Sequence, residues 1–463
     1  MASSHTNLMT EGSIQKKLIA FAIPLFFGNL FQQLYNTADS LIVGQFLGSE
    51  ALASVSSSGN LIFLMVGFFN GISMGAGVVI ARYFGAKDYE NMQKAVHTIV
   101  AFGIVGGLAL TVIGYLLAPQ MLIWMGTPAD IMEGSVTYFR IYFLGSLAFV
   151  LYNCCTGILQ SVGDSKHPLY YLIISSITNI VLDILFIAGF GFGVGSAAAA
   201  TVISQFVSVI LCFTRLLRTN EACKVIPRKI RFHAIQFKQI IYNGLPSGCQ
   251  NSIISFANVI VQSNINTFGS MAVAGQGAYS KIEGFAFLPI TCFAMALTTF
   301  ISQNIGAQQY DRAKKGARFG IFCSIVLAES IGVIIMILAP WFMAFFDSTP
   351  EVVAFGAARG RICGLFFCFL ALSHCMAGIM RGAGRAIVPM LVMLACWCVV
   401  RVLFITITIR MIPDINVINW AYPLTWFLSS VVFLIYYFKV DWVHGKRPKN
   451  HTNPQSYVKA KEE

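Results

Sequence analysis

The stretch from Leu18 to Gly48, LIAFAIPLFFGNLFQQLYNTADSLIVGQFLG, decides the fold. It is long and apolar enough to cross a membrane as a helix. Yet it carries Pro24, Gln32, Gln33, Asn36 and Asp39. A charged side chain at mid-bilayer costs roughly 2.5–3.5 kcal/mol on insertion scales, so it is rarely placed there without a use. Gln32, Asn36 and Asp39 fall at i, i+4, i+7 and share one helix face, which must look toward protein or water. Amide glue between helices is the plainer explanation of such a stripe, but glue does not need a carboxylate. Pro24 removes a backbone donor and can hinge the helix.

The rest of the chain reads the same way. Of its 463 residues, 57% are hydrophobic and only 11% are charged, against about 25% charged in ordinary soluble domains. This is the composition of a polytopic membrane protein. Residues 1–17 are polar and the apolar run after them goes on too long for a signal peptide, so no cleavable leader is expected. About twelve spans are legible, with cores near 18–40, 53–80, 95–117, 136–160, 168–189, 195–217, 238–264, 273–301, 317–338, 357–380, 387–410 and 418–438. The net charge of +12 does not point to nucleic acid, because the basic residues sit in alternate short connections. They cluster at Lys16 and Lys17, Arg82 to Lys94, Lys166 and His167, Arg215 to Lys238, Arg312 to Arg318, Arg381 and Arg385, and Lys439 to Lys449. The other connections are acidic or neutral, as at Asp130 with Glu133 and Asp347 with Glu351. Both termini are therefore expected in the cytoplasm. The 12 cysteines lie mostly in apolar runs, as Cys154, Cys155, Cys396 and Cys398 do, and read as small apolar fillers.

The chain also repeats itself. Pro24 in AIPLF pairs with Pro246 in GLPSG, an offset of 222 residues. Gly85 with Gly306, Pro119 with Pro340, and Pro168 with Pro389 each stand 221 apart within similar surroundings. One offset held through four landmarks makes two homologous halves of six spans. An even number of spans per half makes the repeats parallel, with a substrate cavity expected between them near the midplane. The expected units are an N-terminal half 1–217, a cytoplasmic linker 218–237, a C-terminal half 238–440 and a tail 441–463.

No GxxxxGK[ST], GxSxG or HExxH occurs, so neither ATP-driven pumping nor those hydrolytic chemistries are expected, and the chain does not read as an enzyme. Acids inside spans are few. Asp39 is in the first and Asp183 in the fifth, with Asn179 one turn before Asp183. Thr201, in the sixth, adds a hydroxyl at similar depth. Hard cations want such oxygens. Two carboxylates in one desolvated pocket also make a proton site. The residues leave both open, beside a purely structural hydrogen-bond network. The second half carries no acid in its first span. Lys281 and Glu283 lie on different faces of the eighth, where Arg401 is the expected partner of Glu283; Glu329 and His374 stand isolated. Arg140 and Arg361, repeat partners near span ends, are expected to snorkel. With 39 Phe and 17 Met, a cavity lined by such side chains would suit varied amphipathic cations.

The motif Gln32-x3-Asn36-x2-Asp39 behind Pro24, the GA loops at Gly85 and Gly306, and the loops GDSKHP and GAGRAIVP resemble the multidrug and toxic compound extrusion (MATE) family. The resemblance covers nearly the whole chain. It implies an all-α, V-shaped, twelve-helix fold and a secondary antiporter that exports organic cations by alternating access against inward sodium or protons. The matching positions imply a cation site at Asp39, Asn179, Asp183 and Thr201, holding sodium if sodium is the coupling ion. They imply a cavity that includes Gln32, Asn36, Tyr138 and Asn153, and a hinge at Pro24. A branch of the family uses acids in the seventh and tenth spans; this sequence has none there and looks closest to the branch common in Gram-positive bacteria. A bacterial plasma membrane, a monomer and no cofactor beyond the coupling ion are the corresponding expectations. A lipid-linked precursor flippase of the same superfamily is the alternative, and a non-transporting receptor or channel a second one.

Overall fold

The fold is that of a computed structural model, which describes residues 8–124, 127, 129–346 and 348–444. Asp347 and the tail from residue 445 onward lie outside them. The described chain is helical with no strand. The opening stretch forms most of a helix from Ile14 to Gly85 that breaks at Gly48, where φ is 85° and ψ is −177°. We label its arms α1 (Ile14–Gly48) and α2, the apolar part of which is Met65–Gly85. Then come α3 (Tyr89–Trp124), α4 (Ala129–Leu144 and Ser146–Ser161, bent by 47°), α5 (Lys166–Gly189) and α6 (Gly195–Arg218). The second half has α7 (Ala234–Asn266), α8 (Ser270–Gly306), α9 (Tyr310–Phe346), α10 (Pro350–Gly364 and Phe367–Gly382, bent by 59°), α11 (Ile387–Met411) and α12 (Asn416–Lys439).

Among the described residues, nine of these helices are long and apolar enough to cross a membrane alone, and eleven if each bent pair is one span. The remaining one, α7, is long enough but too polar, because it carries Gln250, Asn251, Asn258, Gln262 and Asn264. Such a helix is stable in a membrane only with its polar face against protein or water.

The repeat is written into the backbone. Helix starts recur at one offset of 221 residues: Tyr89 and Tyr310, Ala129 and Pro350, Lys166 and Ile387, Gly195 and Asn416. The break at Gly48 recurs at Gly269, where φ is 91° and ψ is 173°. This region of backbone space is essentially closed to residues with a Cβ, which is why glycine holds both corners. Two further pairs of positive φ values fall into line, Lys87 with Gln308 and Gly163 with Gly384, while Gly12 and Gly191 have no such partner.

The halves meet at the end that carries the basic connections. There Gly85 packs on the carbonyl of Gln303 and Gly306 on that of Arg82, in both cases with no room for a Cβ. Gln303 donates across the seam to the Ser161 carbonyl at 2.7 Å, and Ser302 to that of Val78 at 2.6 Å. Further along, Gly71 and Gly75 of α2 lie on Gly248 and Gly244 of α7. Two GxxxG stretches thus cross face to face, which lets the backbones touch where lipid gives no hydrophobic drive to hold helices together. Near the chain start, Met9 and Thr10 of the first half are buried against the second. Arg312 clamps them by donating to the carbonyls of Met9, Glu11 and Gly12, the last at 2.7 Å. The start of α1 goes with the second half: Leu18, Phe21, Ala22 and Leu25 belong to its apolar core, while most of the first half packs around a core of its own.

Candidate functional site

Asp39, half-buried on α1, and Asp183, fully buried on α5, lie with their carboxyl groups against each other. Asp183 is the last α-helical residue before α5 widens into a π turn over Ile184–Gly189. Asn179, also fully buried, sits one turn earlier, and its amide donates to the Thr201 hydroxyl of α6 at 3.4 Å. Thr201 passes its own proton to the Ala197 carbonyl at 3.0 Å. So the four residues picked out in the sequence do come together. Both Asp183 oxygens, Oδ1 of Asp39 and Oδ1 of Asn179 are buried with no donor among the described residues. Unsatisfied buried acceptors are costly, and charged ones most of all. Carboxylate, amide and hydroxyl oxygens converging in one place are the donor set of a hard cation, or of a shared proton.

Beside this cluster, a cavity of about 390 Å³ lies between the halves. Pro24, Gln32 and Asn153 line it, together with Asn29, Asn70, Gln160 and Gln205 of the first half and Asn251, Thr298 and Arg381 of the second. Asn153 donates to the Phe149 carbonyl at 2.9 Å, which leaves its amide oxygen for the cavity. Asn36 and Tyr138 do not line it. Asn36 is exposed on α1. Tyr138 is buried among Val43, Ile187, Ala197 and Ala198, on the acid pair's side. The i, i+4, i+7 stripe is real but long: Gln32 reaches the cavity and Asp39, two turns on, reaches the acid pair. Arg381 is the one charged side chain of the lining, and Asp39 and Asp183 lie outside it.

The second half corrects one expectation. The partner of Glu283 is Arg359, at 3.1 Å, not Arg401. Arg401 instead donates to the Thr425 hydroxyl at 2.8 Å and lies over the rings of Tyr422 and Trp397. Nothing in the sequence singled out Arg359, because a span-end arginine reads as a snorkel until the fold buries it. Glu329 also has its role: it accepts from the backbone N–H of Cys368 at 2.8 Å, which caps the second arm of broken α10. Lys281 lies over the Phe346 ring and Arg140 over that of Tyr115. His374 is wedged between Phe287 and Trp397.

Membrane-length helices in two parallel repeats, closed around a cavity between them, define a multi-pass membrane transporter. The chain belongs to the MATE family: the MatE family model matches it twice, over residues 24–185 and 246–407. It is similar to "Probable multidrug resistance protein YoeA" of Bacillus subtilis, 27% identical over 447 residues, covering 94% of this chain and 96% of that protein. "Probable multidrug resistance protein NorM" of Thermotoga maritima is 27% identical over 386 residues, covering 82% of each. Among solved structures, the outward-facing conformation of a multidrug resistance MATE family transporter of the MOP superfamily superposes with a TM-score of 0.91. It is 22% identical and covers 96% of this chain and 100% of that one, a likeness of fold.

Proposed function

We propose that the protein is a multidrug efflux antiporter, exporting organic amphipathic cations in exchange for inward sodium or protons. The observation that carries this reading is the set of buried acceptor oxygens on Asp39, Asn179 and Asp183 that no donor among the described residues satisfies. A sodium ion among them, with Thr201 as a further ligand, or a proton shared by the two acids, offsets the cost of burying them. The cavity next to the pair, bounded by Pro24, Gln32 and Asn153, is where a drug would lodge. Its positive end would face Asp39 and its apolar body the rest of the cleft, with Arg381 at a distance from that charge. The names of the similar proteins support the substrate class.

Exchange follows from mutual exclusion. Ion and drug compete for the same negative charge, and each stabilises the access state in which it binds best. The membrane potential adds roughly 2.3 kcal/mol per charge per 100 mV to inward cation movement. In this reading the basic end, both termini and the linker face the cytoplasm. The closed seam at the basic end, between Gly85 and Gln303, then belongs to an outward-open form. Pro24 is the hinge that reshapes α1, and one chain is the working unit.

The deciding experiment is efflux of a fluorescent organic cation from proteoliposomes under imposed sodium or proton gradients. Accumulation that follows one gradient and collapses with its ionophore is the expected result. Translocation of a lipid-linked sugar without any ion dependence would replace this reading with a flippase.

A further inference from the structure

The offset of 221 residues that relates the halves pairs Tyr138 with Arg359 and Thr201 with Tyr422. Both first-half residues flank the acid pair. Their second-half counterparts stand together as well, but with the charge reversed. Arg359, on α10, is only 3% exposed. Its Nη2 donates to Oε2 of Glu283 at 3.1 Å and its Nη1 to Oε1 of Gln276 at 2.8 Å. The guanidinium lies 4.9 Å from the ring centre of Tyr279 and 4.4 Å from that of Tyr422. Arg401 covers Tyr422 as well, also at 4.4 Å.

A carboxylate, an amide oxygen and two aromatic faces are what a bound organic cation is held by. Here they hold one that is part of the chain. Gln276, Tyr279 and Glu283 come from a single face of α8, at i, i+3, i+7, while Tyr422 comes from α12. The guanidinium therefore joins three helices, and through Arg401 it touches a fourth. In the first half the same offset puts Tyr138 and Thr201 at this place, without a charge, while Asp39 and Asp183 correspond to Ile260 and Phe404, outside the Arg359 site.

We propose that Arg359 is a tethered cation that permanently fills an organic-cation site built by Gln276, Tyr279, Glu283 and Tyr422. The second half is thereby held in its packed state without an ion, and exchangeable positive charge is confined to the first. This rests on the proposed cation site of the first half only for the comparison. The guanidinium site itself can be tested whether or not that reading stands.

The test is chemical rescue in the full-length protein in detergent, followed by thermal unfolding. Arg359→Ala leaves an empty, negatively lined site of guanidinium shape. It should melt well below the wild type, and millimolar methylguanidinium should raise its melting point while leaving the wild type unmoved, because a ligand stabilises the state that binds it. Adding Glu283→Gln to Arg359→Ala should abolish the rescue. Arg359→Lys keeps a charge in place, so it should fold and show no rescue. If Arg359→Ala is recovered folded only in the presence of methylguanidinium, that too supports the proposal. Arg359→Ala that is indifferent to methylguanidinium, or Arg359→Lys as unstable as Arg359→Ala, overturns it.

Discussion

Gly75 of α2 and Gly244 of α7 touch backbone to backbone: a Cβ on Gly75 would stand 2.2 Å from the amide nitrogen of Gly244. This contact lies on the seam between the halves. Gly75→Ala is therefore expected to destabilise the protein by about 1–3 kcal/mol, the usual cost of overpacking. Within a helix, glycine to alanine otherwise stabilises by up to about 1 kcal/mol. Gly277→Ala, in α8, supplies that control, since its Cβ would meet nothing within 4 Å. Thermal unfolding of the two variants should move in opposite directions. Equal shifts would mean that the seam yields freely at this depth.

Much of this architecture is legible in the sequence, and the reason is periodicity. Bilayer thickness forces long apolar runs, and gene-level repetition leaves one offset. The pairs Gly85–Gly306 and Pro168–Pro389 therefore mark the two repeats in the sequence. The acid pair was legible for an energetic reason, since Asp39 and Asp183 are too costly in a span to be idle. The glycine crossing was not, because a glycine's value depends on what faces it. Arg359 was hidden in the same way. Its charge could be seen, but its burial between Tyr279 and Tyr422 depends on α8, α10 and α12 meeting.

Arg312 fastens the start of the chain to the second half through the carbonyls of Met9, Glu11 and Gly12. Under the proposed cycle the seam at this end must open, so the strap must let go. Arg312→Ala should release residues 8–13 ahead of any global unfolding. Their amide hydrogen exchange should quicken at least about tenfold, the change expected for losing even one of these charge-assisted hydrogen bonds. Exchange rates identical to wild type would place the anchoring elsewhere, on the bond from the Met9 amide to Gln303 at 2.9 Å.

Pro24 lies inside an uninterrupted helical arm and faces the cavity. Its missing N–H leaves one carbonyl of the preceding turn without its helical partner, which makes this the easiest point of α1 to bend. Pro24→Ala restores that bond and should raise thermal stability slightly while slowing efflux several-fold. Unchanged transport in reconstituted protein would remove the bend from the cycle.

The last prediction concerns Asp39 and Asp183 directly. If a cation offsets the cost of burying them, removing one charge has two separable effects. The empty site becomes less costly, so Asp39→Asn and Asp183→Asn should fold at least as stably as the wild type when no coupling ion is present. The bound site loses its main attraction, so the rise in melting point that the coupling ion gives the wild type should shrink or vanish. Transport should follow the second effect: gradient-driven efflux is lost in both variants, while drug exchange at equal ion concentrations on the two sides can persist. The two acids lie against each other and form one site, so the double variant should be no worse than either single one. A Thr201→Ala variant removes only a neutral ligand and should weaken ion-dependent stabilisation without abolishing it. Efflux equal to wild type in both single aspartate variants, at matched protein amounts and under the same gradient, would place the coupling ion at another site.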